Sequence, residues 1–387
     1  MLNPVEQRHG PEARPSGKPA WRGRRPGAPS EPDILLDRRR GRGAQTNISG
    51  RYEAETREAF DDEWGSLEEL PAIRTDVQIE RARKIITRNQ SPDISFDRSI
   101  NPYRGCEHGC AYCFARPTHA NMGLSPGLDF ETRLFAKPDA ALLLEKELAA
   151  PGYTPRTIAI GTNTDPYQPI EREWRIMRGI LEVLSAANHP VGIVTKSALV
   201  VRDIDILSSM AERGLAKIAL SVTTLDRKLA RTLEPRAATP PKRIETIQKL
   251  AAAGIPVTIM TAPIIPALND SEIERLLEAG HAAGAREAGY VMLRLPLEVS
   301  PIFREWLQDH YPDRYEHVMS VMKSMRGGKD YDAEWGVRQR GKGPYAWMIG
   351  RRFELAAKRL GLNTERRKLR SDLFVPPVPP GGQMKLI

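Results

Sequence analysis

The chain has 387 residues, 28% of them charged, and its 58 Lys or Arg exceed its 49 Asp or Glu by nine. This length allows one large α/β domain with extensions or two smaller domains, and the net charge of +9 makes a polyanionic partner worth testing. No stretch approaches the roughly 18 apolar residues of a membrane span, and the N-terminus lacks the apolar core of a signal peptide, so we expect a soluble protein without a membrane partner. Three closely spaced cysteines are typical of a reducing compartment, so we expect the protein to be cytoplasmic.

Residues 1–51 hold eleven Lys or Arg against five Asp or Glu, with many Pro and Gly and few apolar residues. This composition is typical of a disordered basic leader, which we expect to be removable without loss of the fold. The acidic stretch from Glu53 to Glu69 predicts either a short helix or an extended segment that lies on the folded body. We therefore assign residues 1–71 to a largely disordered leader.

From residue 72 to residue 297, segments rich in Ile and Val alternate with helical patterns. Almost continuously apolar strands are typical of a parallel sheet covered by helices. Six strand–helix units predict a partial (β/α)6 barrel that works at the carboxyl ends of its strands, with an open, doubly wound α/β sheet as the alternative. The predicted strands are SFDRSINPYRG, RTIAIGT, PVGIVTK, AKIALSVTT, PVTIMTAPII and GYVMLRLP; the helices between them are DAALLLEKELAA, REWRIMRGILEVLSAAN, DIDILSSMAERG, PKRIETIQKLAAAG and EIERLLEAGHAAGA.

Past residue 297 the alternation stops, and residues 298–387 predict a helical C-terminal extension with a basic tail. Residues 301–328 predict two helices, and residues 344–362 predict another. Residues 338–370 contain eleven Lys or Arg against two Glu. Such a run is typical of a solvated helical face about as often as of a nucleic-acid-binding surface.

The three cysteines of the chain, Cys106, Cys110 and Cys113, lie within eight consecutive positions. An odd number of closely spaced thiols is typical of a metal site in a reducing compartment rather than of disulfides. A cubane iron–sulfur cluster normally takes four thiolates, so C-x3-C-x2-C leaves one iron open to a substrate or cofactor. The alternative is a tetrahedral zinc site completed by His108 or His119.

This cysteine spacing, with Tyr112 just before the last cysteine, in a loop after the first strand of a six-unit βα domain, resembles the radical S-adenosylmethionine (radical SAM) superfamily. The resemblance covers roughly residues 98–297. It implies a [4Fe–4S] cluster on Cys106, Cys110 and Cys113 whose open iron binds the amino and carboxylate groups of S-adenosylmethionine (SAM). It also implies a one-electron donor such as flavodoxin or ferredoxin, and cleavage of SAM to methionine and a 5′-deoxyadenosyl radical that abstracts hydrogen from the substrate.

Within the superfamily, the segments GTNTDPYQPIE, SVTTLD and TLEPRAATPPKRIE resemble the spore-photoproduct-lyase-like branch, described as DNA-repair-photolyase-related. Many superfamily members hold the methionyl amino group with Gly-Gly-Glu after the second strand. This chain lacks that sequence, so Thr162, Asn163, Thr164 or Asp165 must supply the contact. Spore photoproduct lyases also use an additional cysteine as hydrogen donor, which this chain lacks; the candidate replacements are Tyr103, Tyr167, Tyr290 and Tyr345.

Polar residues at the strand ends are the predicted SAM contacts, because a zwitterion and a ribose need donors and acceptors on a rigid rim. We expect Asp165 to accept from an ammonium or a ribose hydroxyl, and Arg236, oriented by Glu234, to pair with the carboxylate. Each residue also has an ordinary reading as a helix cap or turn residue. The predicted SAM-binding residues are Tyr112, Thr162, Asn163, Asp165, Ser221, Thr223, Glu234 and Arg236.

Three functions fit these patterns. The first is a radical SAM enzyme acting on a nucleic acid or another large anionic substrate, and the second is a radical SAM enzyme acting on a peptide or small molecule. The third is a zinc-stabilised nucleic-acid-binding module without catalysis. Stoichiometric zinc without iron or sulfide would favour the third.

Overall fold

A computed structural model of the chain describes residues 41–53, 74–365 and 367–378. Most of the predicted leader, including nearly all of its acidic stretch, lies outside the described residues. The composition predicts disorder for most of residues 41–53, but Gly43 and Ala44 are buried against the folded body. The domain boundaries at residues 71 and 297 stay predictions.

The described residues form two sheets. Their strands are β1 (Asp76–Ile79), β2 (Ile86–Arg88), β3 (Arg98–Ile100), β4 (Tyr103–Arg104), β5 (Arg133–Ala136), β6 (Ile158–Ile160), β7 (Val191–Thr195), β8 (Ala216–Ser221), β9 (Val257–Ile264) and β10 (Glu287–Met292). A seven-stranded sheet has the order β10-β9-β8-β7-β6-β3-β2, and a small one has the order β1-β5-β4. In the large sheet only β2 is antiparallel to its neighbour, and the six parallel strands are the six predicted from the sequence.

The six parallel strands follow one another in space as they do along the chain, from β3 to β10. A doubly wound sheet would reverse its order at a switch point. Because the described order does not reverse and βα crossovers are right-handed, the connections lie on one face, as they do in a barrel. The fold is therefore the predicted partial barrel, with β2 and β10 at its edges, and the doubly wound alternative is wrong.

Helices cover the outer face of the barrel. The described helices are α1 (Pro117–Ala120), α2 (Asp129–Thr132), α3 (Ala140–Leu148), α4 (Glu171–Trp174), α5 (Ile176–Ala186), α6 (Ile204–Glu212), α7 (Arg227–Leu233), α8 (Pro240–Ala252), α9 (Ile273–Ala282), α10 (Val299–His310), α11 (Pro312–Ser324) and α12 (Gly343–Arg359). The predicted helix after the second strand is broken because Arg175 is left-handed (φ 50°) and the Glu171 side chain caps Met177 N at 3.2 Å. None of the described helices is long and apolar enough to cross a bilayer.

The two faces of the barrel strands differ in side-chain size. Ile100, Ile160 and Ile193 point outward and are fully buried under the helices. On the inner face, the register aligns Ser99 with Ala159 and Gly192, so one row across three strands carries only small side chains. Small residues leave room inside the barrel for a ligand.

The C-terminal extension wraps around the barrel. α12 packs against α9 and β10, where Arg352 pairs with Glu274 at 2.6 Å and the rings of Phe353 and Tyr290 lie 4.7 Å apart. The last described segment crosses the opposite end of the barrel, where Val375 N donates to Ala187 O at 3.0 Å, just before β7. The predicted helices of the extension are confirmed.

Candidate active site

The cysteine loop, residues 105–113, follows β4 at the carboxyl ends of the parallel strands. Gly105 (φ 73°) and Gly109 (φ 65°) adopt the left-handed conformation, which lets the loop turn tightly on both sides of Cys106. Cys106 and Cys110 are buried and Cys113 is half-buried. Burial raises the pKa of Cys110 to about 12, so a metal binding here must displace thiol protons.

The donor set fits an iron–sulfur cluster better than a single ion. In the part of the chain that the structure describes, no three Cys, His, Asp or Glu side chains are arranged to enclose one metal ion. His119 Nε2 is bonded to Arg133 O at 2.9 Å, and His119 Nδ1 is buried without a hydrogen-bond partner among the described residues. A cubane binds each thiolate through a different iron, so its cysteines stand farther apart than the ligands of one ion. Three thiols on one loop fit such a cluster.

A buried network joins the loop to the end of β8. The Tyr112 hydroxyl donates to Glu234, whose Oε1 also lies 2.7 Å from the Thr223 hydroxyl. Arg243 donates to Glu234 Oε2 at 2.5 Å and to Ser221 O at 3.1 Å. Burial opposes charge on Glu234, but Arg243 and Lys196 hold its pKa below the ordinary value. The structure therefore brings together Tyr112, Ser221, Thr223 and Glu234, through an arginine that sequence reasoning missed. Their binding of SAM stays a prediction.

Arg236 lies apart from Glu234. Its guanidinium pairs instead with Glu107 at 3.1 Å, next to Cys106. The predicted orienting of Arg236 by Glu234 is thus not what the structure has, because Arg243 occupies that carboxylate. Arg236 remains at the cysteine loop, since its backbone N–H donates to His108 O at 3.3 Å.

The side chain of Asp165 is buried, and both of its carboxylate oxygens accept hydrogen bonds. Its Oδ1 accepts from the Thr195 hydroxyl at 2.6 Å, and its Oδ2 accepts from Lys196 N at 2.7 Å and lies 3.4 Å from His108 Nδ1. Burial would raise the pKa of Asp165, but His108 and these hydrogen bonds lower it well below its usual range. With its oxygens occupied, Asp165 fixes the ends of β6 and β7 beside the cysteine loop.

The segment after β6 offers more accessible groups. Thr162 is half-buried and Asn163 is exposed, and both lie by Asn101 at the end of β3: Asn163 N donates to Asn101 Oδ1 at 3.0 Å. Thr164 is buried, with its hydroxyl 3.4 Å from Tyr103 O. Asn163 is thus the most exposed of the four predicted residues, and the Thr162 hydroxyl lies 3.4 Å from Asn101 Nδ2.

Lys196 is a central residue that sequence reasoning missed. It follows β7 directly, and its ammonium lies 5.7 Å from the centre of the Tyr112 ring. Burial opposes charge on Lys196, but Cys110, Glu234 and Asp165 raise its pKa. No hydrogen bond joins its Nζ to another described residue. Its position at the carboxyl end of a barrel strand was the available signal.

The tyrosines considered as hydrogen donors have other engagements. Tyr103 donates to Glu171, and Tyr167 donates to Asp203 at 3.1 Å. Tyr345 donates to Asp270 at 2.5 Å. Tyr290 lies on the outer face of the barrel under α12.

Residues 100–280 match the family model described as the Radical SAM superfamily. This chain contains a radical SAM domain. The superfamily uses a [4Fe–4S] cluster and SAM, the two cofactors that the resemblance implies. The domain covers the cysteine loop and all the predicted SAM-binding residues.

Relatives of the radical SAM domain occur in bacteria and archaea. An uncharacterized protein of Mycobacterium tuberculosis (strain H37Rv) is 37% identical over 222 residues, which are 57% of this chain and 65% of the relative. An uncharacterized protein of Methanocaldococcus jannaschii is 27% identical over 62% of this chain and 85% of its own length. The match thus spans just under two thirds of the mycobacterial relative.

Among solved structures, spore photoproduct lyase complexed with dinucleoside spore photoproduct is similar, with a TM-score of 0.54 and 16% identity. The similarity covers 74% of this chain and 80% of that protein. A variant of the same lyase with bound AdoMet and dinucleoside spore photoproduct gives the same values. At this identity the comparison shows a shared fold.

Proposed function

We propose that the chain is a radical SAM enzyme that binds one [4Fe–4S] cluster through Cys106, Cys110 and Cys113 and cleaves SAM reductively. The observation that carries this proposal is the set of three thiols on one loop at the carboxyl ends of the barrel strands, inside a radical SAM domain. When bound, the cluster supplies one electron to the SAM sulfonium, which yields methionine and a 5′-deoxyadenosyl radical. A flavodoxin or ferredoxin and a reducing cytoplasm suit this chemistry.

The chain's own residues supply the binding of SAM. Lys196 provides a cation between the Tyr112 ring and the ends of β6 and β8, where it can bind the SAM carboxylate. Thr162 and Asn163 offer polar atoms to the methionyl amino group or the ribose. Glu234 and Arg243 stay paired with each other and hold Tyr112 in place.

The first experiment is spectroscopic and needs no substrate. The anaerobically purified chain is reconstituted with iron and sulfide and reduced, and its electron paramagnetic resonance spectrum is recorded with and without SAM. We expect a reduced-cubane signal that changes when SAM is added, together with release of 5′-deoxyadenosine. The matched Cys110→Ser variant should give neither. Stoichiometric zinc without iron in the wild type would overturn the proposal.

For the substrate we propose a nucleic acid strand, supported by a groove of about 590 Å³ between β10 and α12. Its lining includes Trp347, which is 71% exposed, and Arg340, Lys342 and Arg351. Exposed aromatic rings stack on bases, and arginines contact phosphates. Gln339, which precedes the lining residue Arg340, accepts from Met292 N at 2.8 Å through its backbone O, so one end of the groove adjoins the carboxyl end of β10.

Fluorescence anisotropy of a labelled single-stranded oligonucleotide, titrated at several salt concentrations, tests the substrate class. Trp347→Ala should weaken binding by about tenfold, because stacking contributes roughly 1–3 kcal/mol per base. Leu142, which is 68% exposed on α3, supplies the matched control Leu142→Ala. Neutralising Arg366, Arg367 and Lys368 should lower the slope of binding affinity against salt concentration. Absent or salt-independent binding would favour a peptide or small-molecule substrate.

A further inference from the structure

Residues 41–53, called the strap below, lie directly on the cysteine loop. Gly43 approaches the loop so closely that a Cβ added there would lie 1.6 Å from Gly109 O. A side chain at residue 43 is therefore incompatible with the observed contact, whatever its chemistry. The contact joins a segment that precedes the radical SAM domain to the centre of C-x3-C-x2-C.

One buried carboxylate connects the strap to the loop. Glu131, fully buried at the end of α2, accepts from Gly43 N at 2.9 Å and from Ala44 N at 2.8 Å. Arg116, also fully buried, donates to Glu131 at 2.5 Å and to Cys110 O at 2.9 and 3.1 Å. The strap, Glu131, Arg116 and the Cys110 backbone thus form one continuous chain of charge-assisted hydrogen bonds.

The rest of the strap is anchored beside the loop. Asn47 Nδ2 donates to Asp129 Oδ1, and Asn47 Oδ1 accepts from the Asp129 backbone N–H, both at 3.0 Å. Thr46 donates to Glu305 on α10 at 2.9 Å. These contacts fix the strap between the cysteine loop and the C-terminal extension.

We propose that the strap holds the cysteine loop in its cluster-binding form and shields it from solvent, with Glu131 and Arg116 as positioning residues. The cluster part of this inference rests on the proposed function. The physical reason is that a buried carboxylate needs its donors. When the strap leaves, Glu131 loses two backbone N–H groups, which weakens the placement of Arg116 and therefore of Cys110 O, to which Arg116 donates. The predicted dispensability of residues 1–51 does not agree with these contacts.

The test uses the full-length Gly43→Ala variant, whose Cβ must push the strap off Gly109. Gln45→Ala, two residues along the same strap, is the matched control, and Glu131→Gln is a second probe that keeps the shape of the side chain. In the metal-free protein, the rate at which iodoacetamide alkylates each of the three cysteines is measured by mass spectrometry. In the reconstituted protein, loss of the cluster absorbance in air is followed.

We expect Gly43→Ala and Glu131→Gln to raise both rates by about tenfold, as loss of a hydrogen bond to a charged group allows the loop to open more often. Gln45→Ala should match the wild type. Equal alkylation rates in wild type and Gly43→Ala, with unchanged circular dichroism, would overturn the inference. If the wild type takes up no iron, the proposed function fails, and the alkylation rates of the metal-free protein still decide the role of the strap.

Discussion

Arg243 is the residue whose loss should most disturb the candidate site without touching a cysteine. It is buried and donates to Glu234 at 2.5 Å, to Ser221 O at 3.1 Å and to Ala238 O at 2.7 Å. Arg243→Met keeps the apolar stem but leaves Glu234 as a buried carboxylate without its main cation. Breaking a buried ion pair in this way costs about 3–5 kcal/mol, and we expect the lower end because Lys196 remains close.

The assay is urea unfolding of the metal-free chain, for the wild type, Arg243→Met, Glu234→Gln and the double variant. If the two side chains act as a pair, the double variant loses less stability than the sum of the single variants, with a coupling of about 2 kcal/mol. Both singles leave Cys106, Cys110 and Cys113 unchanged. Additive losses would refute the pairing.

The pH dependence gives a second check of the same pair. In the wild type, Arg243 and Lys196 hold the pKa of Glu234 below its ordinary value, so the pair's stabilisation is present above that ordinary value and is lost in acid. In Arg243→Met the burial of Glu234 is no longer fully offset, and its pKa should rise. The stability gap between variant and wild type should therefore widen as pH increases. A gap independent of pH would mean that the arginine acts only through packing.

Three further predictions concern separate parts of the molecule. Lys196→Met should raise the Kd for SAM by at least about tenfold in equilibrium binding, since a charge-assisted bond to the carboxylate is lost, and an unchanged Kd would remove Lys196 from the binding site. Burial lowers the pKa of His189 from its ordinary 6.5 to about 4, so the unfolded chain binds a proton in this window that the folded chain does not. Stability therefore falls as pH drops from 6.5 to 4, and His189→Gln, which can still bond Tyr153, should flatten that fall by up to roughly 3 kcal/mol in urea titrations. Asn363, left-handed at φ 63°, bonds both Ala288 N and Ala288 O at 3.0 and 3.1 Å. Asn363→Ala should cost about 2 kcal/mol in the same titration, and a loss below about 0.5 kcal/mol would contradict the importance of this clamp.

The six barrel strands were predictable because each is a short apolar run between helices, and the parallel order follows from that alternation. The thiols were predictable because their spacing is local. The side chains around the thiols were not predictable. Arg236 lies two residues from Glu234 in the sequence and was the expected partner, but Glu234 pairs with Arg243 and Arg236 pairs with Glu107. α8 begins at Pro240 and places Arg243 where it donates to Ser221 O at the end of β8. No local sequence pattern predicts this contact.

The strap shows the limit of composition as a guide to order. Its sequence, GRGAQTNISGRYE, has few apolar residues and suggested disorder. It is ordered by different means: a glycine that permits close backbone approach, and backbone N–H groups that bond one buried carboxylate. That carboxylate belongs to Glu131, almost ninety residues away along the chain, so the sequence of the strap alone could not predict the contact.

The basic run of residues 338–370 is also interpreted differently once its distant contacts are known. In the described residues, six of its Lys or Arg pair with acidic groups, several of them from distant elements: Arg338, Lys342, Arg351, Arg352, Arg359 and Arg370. Such pairs cancel the field at long range, but the exposed ones contribute little stability, so a phosphate can displace the carboxylate at small cost. If the groove binds nucleic acid as proposed, the affinity should depend on contact at Trp347 and Arg340 more than on steering by net charge. Trp347→Ala is therefore a sharper test of the substrate class than neutralising the tail.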